Sequence, residues 1–164
     1  MVLVAIAYFT LVTQSSIDEH ALRAGFKRMA RRTPIPSTQV SASYIRNSDK
    51  AVLGVSATSH DTREDCLKTL ARVDSMSSSR PSTKAPVLRS GKTIGERGHY
   101  SDVDHDGDIL LGFIDKKLYV GIVVHYKGTR KDKRIVWDDA NREADRKMVE
   151  AIGRQLIADQ SIKP

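Results

Sequence analysis

Two apolar runs, Ile109 to Ile114 and Leu118 to Tyr126, are separated only by Asp115-Lys116-Lys117, and no other feature constrains this chain as much. Both runs are rich in Ile, Val and Leu, and a short polar connection between such runs predicts a buried β-hairpin. A second hairpin is predicted further upstream. There Val40, Ala42 and Tyr44 alternate with Ser41 and Ser43, and after Asn47-Ser48-Asp49-Lys50 the segment Ala51 to Thr58 alternates again. Alternation of this kind sends one set of side chains to a core and the other to the opposite face.

Helical spacing fills the segments around the hairpins. Ser16 followed by Glu19 has the form of a capping box, and Ile17, Ala21, Leu22, Gly25, Phe26, Met29 and Ala30 recur on one face. The prediction is a helix from Ser16 to about Arg32, ended by Pro34 and Pro36. Asp61 with Glu64 opens a second helix whose apolar stripe is Cys66, Leu67, Leu70 and Val73. Asp138 or Asp139 caps a third, with Ala140, Ala144, Met148, Val149, Ile152, Leu156 and Ile157 on its inner face. Ile135, Val136 and Trp137 read as a short extra strand before it. The expected fold class is α+β: antiparallel β-hairpins packed against three amphipathic helices, with a split β-α-β layout that puts the helices on one face.

At 164 residues, 40% of them hydrophobic and 29% charged, the chain matches one globular domain, 1–164, and is neither disordered nor collagen-like. Cys66 is the lone cysteine, which excludes an intramolecular disulfide and a multi-cysteine zinc cage. It reads as a buried thiol on its helix. Val2 to Val12 is uncharged and apolar, so residues 1–15 are either a buried first strand or a signal peptide that lacks a basic n-region. The first reading implies a cytoplasmic protein, the second a secreted one. At that length the run cannot span a bilayer, and no integral membrane segment is expected.

Charge is unevenly distributed. With 27 Lys and Arg against 20 Asp and Glu, the formal net charge is +7, which excludes an acidic calcium buffer and makes polyanions the default partner. Arg23, Lys27 and Arg31 recur every fourth residue of the first predicted helix, with Arg28 beside them. Lys127, Arg130, Lys131, Lys133 and Arg134 crowd a second segment. Residues 75–93, Ser75 to Thr93, contain no acid and four cations, and their composition predicts a flexible basic loop.

Against this excess stands Asp102-Val103-Asp104-His105-Asp106-Gly107-Asp108. Alternating carboxylates at Asp102, Asp104, Asp106 and Asp108, with glycine at the sixth position, are able to turn oxygen ligands toward one hard cation, Ca2+ or Mg2+. The run resembles calcium loops of the EF-hand type and those of FG-GAP propeller repeats, although its twelfth position is Phe113 where an EF-hand has a bidentate Glu. It also resembles the Asp-x-Asp-x-Asp-Gly magnesium motif of TOPRIM domains, without that motif's leading buried strand. Asp108, the following hairpin and His125-Tyr126-Lys127 resemble the PD-(D/E)xK nuclease pattern, with His125 in place of the second acid. Ser90-Gly91-Lys92-Thr93 matches only the tail of a phosphate-binding loop, since Pro86 stands where its first glycine belongs.

Three functions follow. The first is a non-enzymatic binding or assembly protein whose basic surfaces contact nucleic acid or another acidic partner. The second is an extracytoplasmic module that binds a divalent cation through the Asp-rich turn. The third is a metal-dependent nuclease built on Asp108 and Lys127.

Overall fold

The computed structural model describes residues 14–30, 39–76, 83–102, 108–126, 129–131, 134–136 and 139–161. The apolar N-terminal run lies outside them. In chain order the elements are α1 (14–23), β1 (Lys27–Arg28), β2 (Gln39–Ile45), β3 (Val52–Ser59), α2 (Arg63–Met76), β4 (Arg97–Asp102), β5 (Ile109–Asp115) and β6 (Leu118–His125). A small ribbon, β7 (Thr129–Lys131) and β8 (Arg134–Val136), precedes α3 (Asp139–Ser161). Six strands form one antiparallel sheet in the order β1-β2-β3-β6-β5-β4, and β7-β8 form a separate two-stranded sheet. Six antiparallel strands with three helices make an α+β fold.

Both predicted hairpins are present, in the register their alternation demands. Leu53, Val55 and Ala57 on β3, Val120, Ile122 and Val124 on β6, and Ile109, Leu111 and Phe113 on β5 all turn to one face and are buried. Ile17 and Ala21 of α1 and Met148, Val149, Ile152 and Leu156 of α3 close over them in a single core. Fully burying each large aliphatic side chain contributes about 1.5–3 kcal/mol. On the opposite face α2 packs Cys66 and Leu70 against Ile114 and Tyr119 in a smaller cluster. The helices therefore occupy both faces, not one, because α2 is inserted between the hairpins and lands on the side the other two leave open.

Four local expectations change. Helix α1 already includes residue 14, so Ser16 is not its cap, and it stops at residue 23. Gly25 has φ 80°, its N–H donates to the Leu22 carbonyl, and the Phe26 N–H donates to the Ala21 carbonyl. That is a Schellman ending, and it turns Phe26 into the core while leaving Leu22 and Met29 exposed. The cap of α2 is Thr62, one residue later than predicted: its hydroxyl accepts from the Asp65 N–H and donates to the Asp65 carboxylate.

Strand β4 falls in a stretch too polar for the apolar alternation that marks strands. Gly98, Tyr100 and Asp102 face the main core side, opposite Phe113, Leu111 and Ile109. A Cβ at Gly98 would overlap the Gly112 carbonyl oxygen, so only glycine permits this approach. Lastly, within the described part of the central basic segment, from residue 83 onward, most side chains are exposed and Leu88 is buried. Leu88 and Ile94 enter the core, and the Leu88 N–H donates to the Lys92 carbonyl across a tight loop.

Candidate functional site

The first two turns of α3 carry charge inward. Ala140 and Ala144, predicted to face the core, are exposed, while Arg142 and Asp145 are buried. Asp145 accepts from Arg46 through both carboxylate oxygens, at 2.6 and 2.8 Å, and from the Tyr126 hydroxyl at 2.6 Å. Arg46 also reaches Asp49 on the β2-β3 turn and lies 4.5 Å above the Phe26 ring. Burial raises the Asp145 pKa although Arg46 and Tyr126 pull it down. At Asp49, burial opposes ionisation, but hydrogen bonds from Arg46 and the Ala51 N–H outweigh it and lower the pKa.

Asp102 belongs to a second cluster of this kind. It accepts from Arg142 Nη2 at 2.9 Å and from Arg146 Nε at 2.5 Å, and its side chain is 1% exposed. Burial opposes ionisation here too, and Arg146, Tyr100 and Arg142 together hold the carboxyl below its ordinary range. At the other end of the Asp-rich turn, Asp108 accepts from His125 Nδ1 and from the Tyr126 N–H. The hairpin thus brings Asp108 to the His125 end of β6, as the nuclease pattern expects, and Lys127 lies outside the described residues. Asp104 and Asp106 lie outside them as well. Among the described residues no three His, Cys, Asp or Glu side chains gather as a metal-holding group.

The basic residues divide into two sets. Arg23 is paired with Glu19, and Arg28 with Asp18 at 3.2 Å. Since α1 ends at residue 23, Lys27 and Arg28 sit on β1 opposite Ile45 and Tyr44, and no continuous helical stripe joins them to Arg23. Arg31 lies outside the described residues. The second set is carried by the ribbon: β7 holds Arg130 and Lys131, β8 opens with Arg134, and the register sets Lys131 opposite Arg134 and Arg130 opposite Ile135. Lys127 and Lys133, just outside the two strands, fall outside the described residues.

The sequence reading missed a groove of about 300 Å³ on the face that α2 only partly covers. His99 and Tyr119 overlook it. His99 Nδ1 lies 3.4 Å from the Asp74 carboxylate at the end of α2. Tyr119 is 9% exposed, and its pKa is raised by burial first and then by the Asp74 charge. The available signal was glycine inside strands: Gly54, Gly112 and Gly121 interrupt otherwise apolar alternation, which marks close approach or an open surface.

Comparison with known protein families, with curated proteins and with solved structures finds no match in any of the three. Among the described residues no helix is long and apolar enough to cross a membrane.

Proposed function

We propose that the chain is a non-enzymatic binding protein that contacts the phosphate backbone of nucleic acid through the β7-β8 ribbon. The observation that carries this reading is the ribbon itself. It pairs outside the six-stranded sheet and concentrates Arg130, Lys131 and Arg134 on two strands of three residues each. A two-stranded β-ribbon is one of the two elements that the major groove of B-form DNA admits, and lysine and arginine on it release counterions from phosphates. The paired cations Arg23 of α1 and Arg28 of β1 add less, because Glu19 and Asp18 offset their charge locally.

The divalent-ion and nuclease readings draw less support. Asp102 is committed to two guanidinium groups and Asp108 to His125, so a cation would compete with existing partners for both carboxylates.

The test is fluorescence anisotropy with a mixed-sequence duplex between 50 and 200 mM salt. The expected log Kobs falls linearly with log salt, and Lys131→Gln and Arg134→Gln each reduce the slope by about one. Absence of binding at low salt, or equal binding by the double variant, overturns the reading. Preference for an acidic polypeptide over the duplex overturns the choice of nucleic acid.

A further inference from the structure

Two features of the β7-β8 ribbon work against its own pairing. It joins neither edge of the six-stranded sheet, and each of its strands is three residues long. An isolated two-stranded ribbon is marginally stable in water, because its ladder is short and it buries little. The register then adds repulsion. Lys131 stands directly opposite Arg134, at the end of the ladder next to the connection, while Arg130 stands opposite Ile135 and Thr129 opposite Val136. Like charges directly opposite one another oppose pairing, since the two Cβ atoms of such a pair are about 4.5–5.5 Å apart. The six paired residues hold three cations and no acid, and Asp132 and Lys133 between the strands add one charge of each sign.

Strand parity sorts these cations. Lys131 and Arg134 share a face with Thr129 and Val136, and Arg130 shares the opposite face with Ile135. Elsewhere the fold sets cations against anions: Arg46, Arg142 and Arg146 each lie against an aspartate. At the end of the ribbon it sets cation against cation. A guanidinium presents a planar fork that fits a phosphate through two hydrogen bonds, and an ammonium beside it adds a compact charge. One phosphate at this pair turns the repulsion into two attractions, so its binding and the closing of the ladder favour each other.

We propose that Lys131 and Arg134 form a clamp for a phosphate group, and that the pairing of β7 with β8 tightens when the phosphate is bound. This deepens the nucleic-acid reading of the same ribbon and rests on it for the source, a backbone phosphate. Binding and ribbon order are linked reciprocally, so a change that relieves the repulsion in the free protein lowers the gain in order on binding. Arg130, opposite an uncharged residue, adds to the electrostatic attraction and takes no part in this linkage.

The experiment is amide hydrogen exchange of the full chain, read by NMR at residues 129–131 and 134–136, with the six-stranded sheet as internal control. Inorganic tripolyphosphate and a mixed-sequence duplex are added in separate arms, with ionic strength held equal by sodium chloride. Each is expected to slow exchange in the ribbon at least fivefold and to leave the sheet amides unchanged. Arg134→Gln removes the opposed charge. Its free ribbon is expected to exchange severalfold more slowly than that of the unaltered chain, and tripolyphosphate to change it less than twofold. Arg130→Gln loses the same charge where no charged residue stands across the ladder, and is expected to keep the full response. The proposal is overturned if tripolyphosphate leaves ribbon exchange unchanged, or if Arg130→Gln behaves as Arg134→Gln does. A response to tripolyphosphate with none to the duplex keeps the phosphate clamp and overturns the nucleic-acid reading. Duplex binding with no change in ribbon exchange keeps that reading and overturns the clamp.

Discussion

The two faces of the central sheet solve the same problem in opposite ways. On one, α1 and α3 seal β2, β3, β5 and β6 under a continuous apolar core and then bury two arginine–carboxylate clusters at its rim. On the other, α2 covers the end around Ile114 and Tyr119, His99 covers Gly112, and Ser41, Ser56 and Gly121 stay half-exposed. Covered face and open face share strands, so every residue of β3, β5 and β6 belongs to one or the other by parity alone. The difference teaches that stability resides on one side of this sheet and surface chemistry on the other.

The largest effect should come from breaking a buried ion cluster. Asp145→Ala leaves Arg46 buried with its principal partner gone, and removing one member of a buried pair costs about 3–5 kcal/mol. Chemical denaturation reads this directly, and a loss under 1 kcal/mol would mean that the cluster is no more than incidental to the covered face. Ile152→Ala, in the same core, is expected to cost about 2–5 kcal/mol. On the other face of the sheet, Ser43→Ala should change stability by about 0.5 kcal/mol or less, because its side chain is exposed and lies outside the core. A loss as large as that of Ile152→Ala would show that something else packs on this side.

Acid should act on the covered face first. Asp102 and Asp49 have folded pKa values below their ordinary 3.8, so the stability they supply is complete above that value and is lost as pH falls through the lowered ones. Asp145 has the opposite sign: its raised pKa means that the folded state holds a proton more readily, which partly offsets the loss. Stability measured from pH 6 to pH 2.5 is therefore expected to fall mainly below pH 4, and Asp102→Asn should flatten that fall. An unchanged slope in Asp102→Asn would remove the Asp102 cluster from the account.

How much of this was legible depended on whether the signal was local. The two hairpins were readable because alternation over five or more residues reports burial parity directly, and observed strands β2, β3, β5 and β6 begin and end within two residues of the predicted runs. The stripe of α2, Cys66 to Val73, was readable for the same reason at helical period. The end of α1 was not, because apolar residues at Phe26 and Met29 continue the helical spacing past Gly25, and only the left-handed backbone at that glycine shows that Phe26 is turned inward by a cap. Ala140 and Ala144 misled in the same way. They keep the apolar period of α3, but its inner face at that end is set by Arg46 and Asp102, which lie far away in the chain.

What the sequence determined by itself was the four strands of the two hairpins, the presence of three helices, the lone buried thiol and the uneven distribution of charge, since each is written in short-range pattern or composition. What only the tertiary structure decided was partnership. It set which carboxylate meets which guanidinium, which face α2 covers, and that Ser56, Gly121, Gly112 and His99 stand in one row. The physical reason is that register and packing join residues from distant segments of the chain, and a pattern confined to neighbours along the chain carries no record of which distant neighbour will arrive.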